Sequence, residues 1–383
     1  MTTTQRWRAL HSFLDRLPMN QSLSRRRKTS RSVLAFTCVL LATLAGIVWV
    51  RSDAHSAPTT CALSSGSHKV AASPGASILA ASDADLNREL SLAKELDMWA
   101  VRIDVDWSVV EPRRGQRNWA PIDRVVNAVV AHGMCPVGLA TYTPLWAARP
   151  LDFPRNSHYR PADPNLFASF AAAAAQRYSQ SIAVWEIWNE PNLANYWLPR
   201  SNTTEYGRLL AASYTAIKRA VPEAAVISGG LAPGTDNGRD IAPLTFVRNL
   251  YQGGFNRSFD ALSVHPYTYP ALPNDPAAAS WSTAARMWDM RDVMVAAGDG
   301  DKKIWMTEFG APTGSGTNAV SEEIQAQSIQ IAIGAQNDAS WLGPLFVYSL
   351  RDAGTDPNNL EHNFGLVRRD WSPKHAYTFL DSR

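Results

Sequence analysis

From residue 99 to the C-terminus, short apolar runs rich in β-formers alternate with amphipathic stretches of helical period. This alternation limits the possible folds more than any other feature of the chain. A strand, a helix and a second strand in succession bring the chain back in the same direction, which makes the sheet parallel. Residues 99–105, 134–140, 182–188, 225–229, 259–265, 303–308 and 345–350 read as strands. Residues 121–132, 164–178, 203–220, 243–251, 281–297, 321–336 and 373–380 read as helices. A first strand near 77–81, less well defined, and a helix over 83–97 complete about eight βα units. That number in about 310 residues fits an α/β fold, a single (β/α)8 TIM barrel. An open doubly wound sheet is the alternative, but no GxGxxG follows the first strand. The glycine-rich segment 313–317 lacks the GK[ST] ending of a phosphate loop and reads as a βα loop.

The chain ahead of the barrel is built differently. Residues 1–32 carry eight Lys and Arg, including Arg25, Arg26, Arg27 and Lys28, against the single acid Asp15. The overall +3 therefore divides into +7 on this leader and −4 on the remainder. A mildly acidic remainder gives no general affinity for nucleic acid, and none is expected as a partner. Residues 33–50 contain no charge. As a helix they would reach about 27 Å, close to the thickness of a hydrocarbon core. Basic residues on their N-terminal side predict a cytoplasmic leader over 1–32 and a membrane partner at 33–50, with everything beyond lying outside.

An uncleaved transmembrane signal anchor and a cleaved signal-peptide core both remain open for 33–50. Twin-arginine export through Ser24, Arg25 and Arg26 is a third route. The expected location is the cell membrane, single-pass with the folded domain outside, or a secreted form after cleavage. Residues 51–72 are small and polar and read as a linker, leaving 73–383 for the barrel. Three cysteines exclude a disulfide scaffold and a four-cysteine zinc site. Cys61 and Cys135 lie where pairing is permitted. The simpler reading keeps Cys135 as a small buried strand residue and Cys61 in the linker.

In such a barrel, reactive groups stand at the C-terminal ends of strands. Those ends present Arg102 through Trp107, Tyr142, Asn189 with Glu190, His265 with Tyr267, Glu308, and Tyr348 with Arg351 and Asp352. Two glutamates, Glu190 and Glu308, end different strands. Paired carboxylates suit glycosidic cleavage: one protonates the departing oxygen, while the other attacks the anomeric carbon or activates water. Glu186 shares the strand parity of Glu190 but lies deeper, as a buried polar group would. Arg102 with Asp104 and Asp106 also reads as an ion-pair network inside the barrel. Trp107, Trp146, Trp197 and Trp281, in barrel-top loops, are candidates to stack on sugar faces. No metal or other cofactor is expected, because HExxH is absent and the histidines lack ligand spacing. GxSxG is absent too.

The residues Trp185-Glu-Ile-Trp188-Asn189-Glu190-Pro191 resemble the Asn-Glu-Pro signature that ends strand 4 in clan A glycoside hydrolases, families 5 and 39 in particular. Trp305-Met-Thr-Glu308-Phe-Gly310 resembles the strand 7 of that clan that bears the nucleophile. Arg102 and the His265-Pro-Tyr267 pair fall where the clan carries an arginine on strand 2 and a His-x-Tyr on strand 6. The resemblance spans about residues 75–380. It implies a retaining β-glycoside hydrolase with Glu190 as acid/base and Glu308 as nucleophile. It also implies Asn189 on the substrate 2-hydroxyl, Arg102 and Tyr267 holding Glu308 ionised, and His265 touching the sugar or positioning Glu190. Many clan members end strand 8 with a Trp beneath the reacting sugar, where this chain has Tyr348. The carbohydrate partner implied is an oligo- or polysaccharide, a cell-envelope glycan of pyranoside or furanoside type among the options. A non-catalytic glycan-binding barrel using the same cleft is the rival reading.

Overall fold

The computed structural model describes residues 61–62, 69–148, 156–275 and 281–383. The basic leader and the apolar run 33–50 lie outside these residues. No helix among the described residues is long and apolar enough to cross a membrane.

Eight parallel strands form one sheet in the order β5-β4-β3-β2-β1-β8-β7-β6. They are β1 Val70–Ala72, β2 Ala100–Asp106, β3 Cys135–Thr141, β4 Val184–Asn189, β5 Ala225–Gly230, β6 Leu262–Val264, β7 Ile304–Phe309 and β8 Leu342–Val347. The two ends of the sheet meet through parallel bridges Ile227 to Ala261 and Leu231 to Val264, which nearly close the barrel. Around it run α1 Ser77–Ala80, α2 Asp83–Glu95, α3 Trp107–Val110, α4 Ala120–Ala131, α5 Pro164–Arg177, α6 Thr203–Ala220, α7 Pro243–Gln252, α8 Thr283–Ala296, α9 Glu322–Asp338 and α10 His375–Asp381.

The local signals are legible at the helix starts. Ser82, Asp163, Asn202, Ser282 and Ser321 each accept a backbone N–H of the first turn, and Pro164 and Pro243 stand where no N–H is needed. Strands buried on both faces read as continuous apolar runs, as expected for a parallel barrel.

Two expectations need correction here. The first strand is Val70–Ala72, within the expected linker, and the 77–81 segment instead forms the short helix α1. Strand β1 is only three small residues, and it is fixed by pairing with both β2 and β8. Its own sequence carries almost no β signal. The second correction is a disulfide. Cys61 and Cys135 are bonded, with their Cα atoms 5.4 Å apart across 74 residues of sequence, where the simpler sequence reading left both unpaired.

The barrel interior is layered. At its foot Ala71, Val137, Ile227, Trp305 and Phe346 form an apolar cluster with the two cysteines. Above this plug the inward side chains turn polar, with Arg102, Glu186 and Thr307 all buried. The larger apolar cluster fills the space between strands and helices. An apolar floor thus underlies the charged groups at the strand ends.

Candidate active site

Asn189 and Glu190 are neighbours in sequence, yet both line one cavity of about 460 Å3 at the C-terminal end of the barrel. In a regular strand consecutive side chains face opposite ways. Here Trp188 and Glu190 adopt left-handed backbone conformations, with φ of 72° and 46°, which breaks the alternation. Such residues are strained by about 1–3 kcal/mol each. They persist because Trp188 is pinned by its Nε1 bond to the Tyr196 carbonyl at 2.8 Å and by edge contact with Trp197. Tyr142, also at the cavity wall, is left-handed at φ 61°. A comparable device acts on β7, where the register with β8 shifts between Met306 and Phe309. Thr307 and Glu308 can then both face inward.

Arg102 sits beneath the cavity, fully enclosed. Its Nε donates to Glu186 Oε2 at 2.7 Å, Nη1 to Glu308 Oε1 at 2.5 Å, and Nη2 to Asn189 Oδ1 at 2.9 Å. Burial alone would lower its pKa, but the carboxylates of Glu186, Glu308 and Asp104 raise it above its ordinary value. Glu186 is held in turn by the Gly230 N–H at 2.8 Å and the Thr307 hydroxyl at 3.0 Å. It does not line the cavity and orients the guanidinium from below.

The two strand-end glutamates differ in their surroundings. Glu190 Oε1 takes a bond from His265 Nδ1 at 2.8 Å. Burial raises its carboxyl above the ordinary value, and His265 offsets only part of that. Burial also pushes Glu308 upward, but His265, Arg102 and the Tyr267 hydroxyl outweigh it and hold this carboxyl below its ordinary value. The Tyr267 hydroxyl donates to Glu308 Oε2 at 3.0 Å, and His265 Nδ1 stands 3.6 Å from the same oxygen. His265 is itself raised: burial lowers it, while Glu308 and Glu190 overcome that. One carboxyl thus holds its proton to higher pH than its neighbour.

Glu190, His265 and Glu308 each offer an atom within 4.8 Å of the other two. That spacing would admit a cation, but the Arg102 guanidinium already neutralises Glu308. The arrangement is suited to moving a proton and attacking a carbon.

Of the expected site residues, Tyr142, Asn189, Glu190, Tyr267, Glu308 and Tyr348 line the cavity. Arg102 and His265 are buried and do not line the cavity, and His265 reaches it only through its bond to Glu190. Trp107 and Trp146 do not line it, contrary to expectation. Trp107 is buried against Phe167 and Phe170 and donates to Glu111, while Trp146 packs on Trp107 and donates to the Glu111 carbonyl. Trp197 is likewise core, and only Trp281 of the four loop tryptophans reaches the wall. Sequence reading missed Tyr196, Tyr269 and Glu361. They lie in βα loops past the strand ends, where no periodicity marks them.

A family model for cellulase, glycosyl hydrolase family 5, matches residues 66–345. Among solved structures, a family 39 glycoside hydrolase from the gut symbiont Bacteroides cellulosilyticus WH2 superposes with a TM-score of 0.66 at 23% identity. The match covers 83% of this chain and 63% of that one, so this chain spans under two thirds of its length. A monomeric β-xylosidase from Caulobacter crescentus CB15 gives 0.61 at 17% identity, covering 82% and 67%. An exo-β-1,4-mannosidase from Opitutaceae bacterium strain TAV5 gives 0.56 at 16% identity, covering 82% and 58%. At these identities the structures speak for the barrel fold. No curated protein matches the chain. The family match covers most of the chain, and the protein belongs to the cellulase family, glycosyl hydrolase family 5, of the clan A glycoside hydrolases.

Proposed function

We propose that the protein is a retaining β-glycosidase of oligo- or polysaccharides, with Glu308 as nucleophile and Glu190 as general acid/base. The observation that carries this reading is the Glu190–Glu308 pair: oxygens within 4.8 Å of each other, one carboxyl raised and the other lowered. Retaining enzymes hold their carboxyls about 5–5.5 Å apart, whereas inverting ones need room for a water between them. In the first step Glu308 attacks the anomeric carbon while Glu190 gives its proton to the departing glycosidic oxygen. Bond formation consumes the Glu308 charge. That charge is one cause of the raised Glu190 pKa, so its loss makes Glu190 more acidic as it becomes the base for an incoming water. Water then adds to the same carbon, its proton goes to Glu190, and Glu308 leaves ionised. Asn189, fixed by Arg102, is placed to hold the 2-hydroxyl.

Glu308→Gln and Glu190→Gln should each lower turnover by orders of magnitude in folded protein, since acid/base help alone is worth about 10²–10⁴-fold. Proton NMR of the first product should show the β-anomer. An initial α-product, or near-normal rates in either variant, would sink the assignment.

The substrate we favour is a cell-envelope glycan, pyranoside or furanoside, met outside the cytoplasmic membrane. The +7 leader and the uncharged run 33–50 support a single-pass anchor, or secretion after cleavage. The Cys61–Cys135 disulfide supports an oxidising compartment. Fractionation of cells with protease treatment of spheroplasts tests this, and a soluble, protease-protected protein with free thiols would refute it.

A further inference from the structure

The cavity contains a carboxylate that the double displacement leaves idle. Asp104 follows Arg102 by two residues on β2, so both point into the barrel. It lines the cavity together with Tyr142 and Glu308. Its carboxylate makes no hydrogen bond or ion pair with any described residue, and the hydrogen bonds of Arg102 go to Glu186, Glu308 and Asn189 instead. Burial raises its pKa to about 6 against the pull of Arg102. Asp104 is half-buried and lines the cavity, so its acceptor oxygens are left to whatever occupies that space.

A second acid, Glu361, reaches the same wall from the loop after β8, where it accepts the Tyr348 hydroxyl at 3.2 Å. With Glu190 and Glu308 the wall carries four carboxyls, while no Lys, Arg or His lines it among the described residues. Sugar hydroxyls are the donors such a wall lacks. A sugar carboxylate, sulfate or phosphate would meet like charge and find no cation.

We propose that Asp104 is a specificity-determining residue that accepts hydroxyl hydrogen bonds from the sugar Glu308 attacks, and that the acidic wall it completes excludes glycans bearing anionic groups. This rests on the Glu190–Glu308 reading above.

The test begins with a panel of 4-nitrophenyl glycosides: β-glucoside, β-mannoside, β-galactoside, β-xyloside, β-galactofuranoside and α-L-arabinofuranoside. The fastest substrate is then compared with its monodeoxy analogues. On the parent glycoside Asp104→Ala should lower kcat/KM by about 10–100-fold, the value of a charge-assisted hydrogen bond. On one deoxy analogue that penalty should vanish. Asp104→Asn, which keeps the shape and one acceptor oxygen, should fall between. The ratio of two substrates on one variant cancels any loss of folded protein. An equal penalty on the parent and every analogue overturns the proposal.

Wild type should also ignore the matching nitrophenyl uronide, and Asp104→Asn with Glu361→Gln should raise the uronide-to-neutral rate ratio. Wild-type cleavage of the uronide at the neutral rate overturns the proposal. Glu308→Gln is the control. Normal turnover in that variant, or no turnover by wild type of any panel member or of the corresponding oligosaccharides, overturns the underlying reading instead.

Discussion

Arg102→Met would show how the site is held together. The guanidinium is buried and bridges three strands, contacting Glu186 and Asn189 on β4 and Glu308 on β7. Methionine fills much of the stem volume but leaves Glu186, which has no exposure, and Glu308 without their cation. Removing one partner of a buried ion pair costs about 3–5 kcal/mol. At about 2 °C per kcal/mol for a large domain, the melting temperature should drop by about 6–10 °C.

Chemistry should change in a way that mere loosening would not produce. Without Arg102, burial acts on Glu308 against only His265 and Tyr267, so its pKa rises and the acid limb of kcat/KM moves to higher pH. Stability shifts with it. A carboxyl whose folded pKa lies below its unfolded value stabilises the fold above that unfolded value. The contribution is lost as pH falls through the folded pKa, so in Arg102→Met acid destabilisation should begin at higher pH. Arg102→Lys keeps the charge but not the three-pronged geometry, and should lie between. The assays are calorimetry and pH–rate profiles on a nitrophenyl glycoside. If Arg102→Met melts like wild type with an unmoved acid limb, the account of Glu308 is wrong.

Three further outcomes follow from the packing. In Gly230→Ala the new Cβ would lie 2.1 Å from His265 Nε2, and His265 is enclosed and cannot retreat. Stability should fall by about 1–3 kcal/mol, with a larger loss of kcat than of substrate affinity; unchanged kinetics would free His265 from the role of positioning Glu190. Cys135→Ser opens a loop of 74 residues and should destabilise by up to about 4 kcal/mol in the chain-entropy account; reductant should lower the wild-type melting point similarly and leave the variant unaffected. Glu89, buried on α2, is raised from 4.5 to about 7 by burial. A raised folded pKa gives stability that is present at low pH and lost as pH rises toward about 7, so the advantage of Glu89→Gln in melting temperature should grow across that window. A constant difference would refute it.

The barrel was legible because amphipathic period and capping residues mark each helix where it forms: α6 matches its expected span, and α5 and α4 agree within a residue. Strand β1 was not, since Val70–Ala72 is held by neighbours brought from opposite ends of the chain. At the site, strand-end position picked out Glu190, Glu308 and Tyr267 because a barrel places all such ends on one face. Parity alone could not tell that Asn189 and Glu190 would both turn inward, since that needs the left-handed Trp188 and Glu190. Trp107 misled for a related reason. It follows β2 directly, but the turn into α3 carries its indole outward to Phe167 and Phe170.

Glu186 works against the divergence of the two catalytic candidates, and it makes a prediction opposite in sign to that for Arg102. It shares the guanidinium with Glu308, so it dilutes the charge that keeps Glu308 ionised, and being an anion it also repels that ionised form. Both effects vanish in Glu186→Gln. The amide offers one oxygen where two now accept bonds from Arg102 Nε, Gly230 N and Thr307 Oγ1. An NH2 group must therefore face a donor, and the fold should weaken by about 1–3 kcal/mol. Yet Arg102, freed of one anion, should hold Glu308 at a still lower pKa. The acid limb of kcat/KM should then move to lower pH while the melting point falls, whereas in Arg102→Met the limb rises as the melting point falls. General damage to the barrel would move the limb the same way in both variants. Two destabilised proteins with limbs shifted in opposite directions would therefore isolate the electrostatic role of the layer beneath the cavity, and an upward or unmoved limb in Glu186→Gln would refute it.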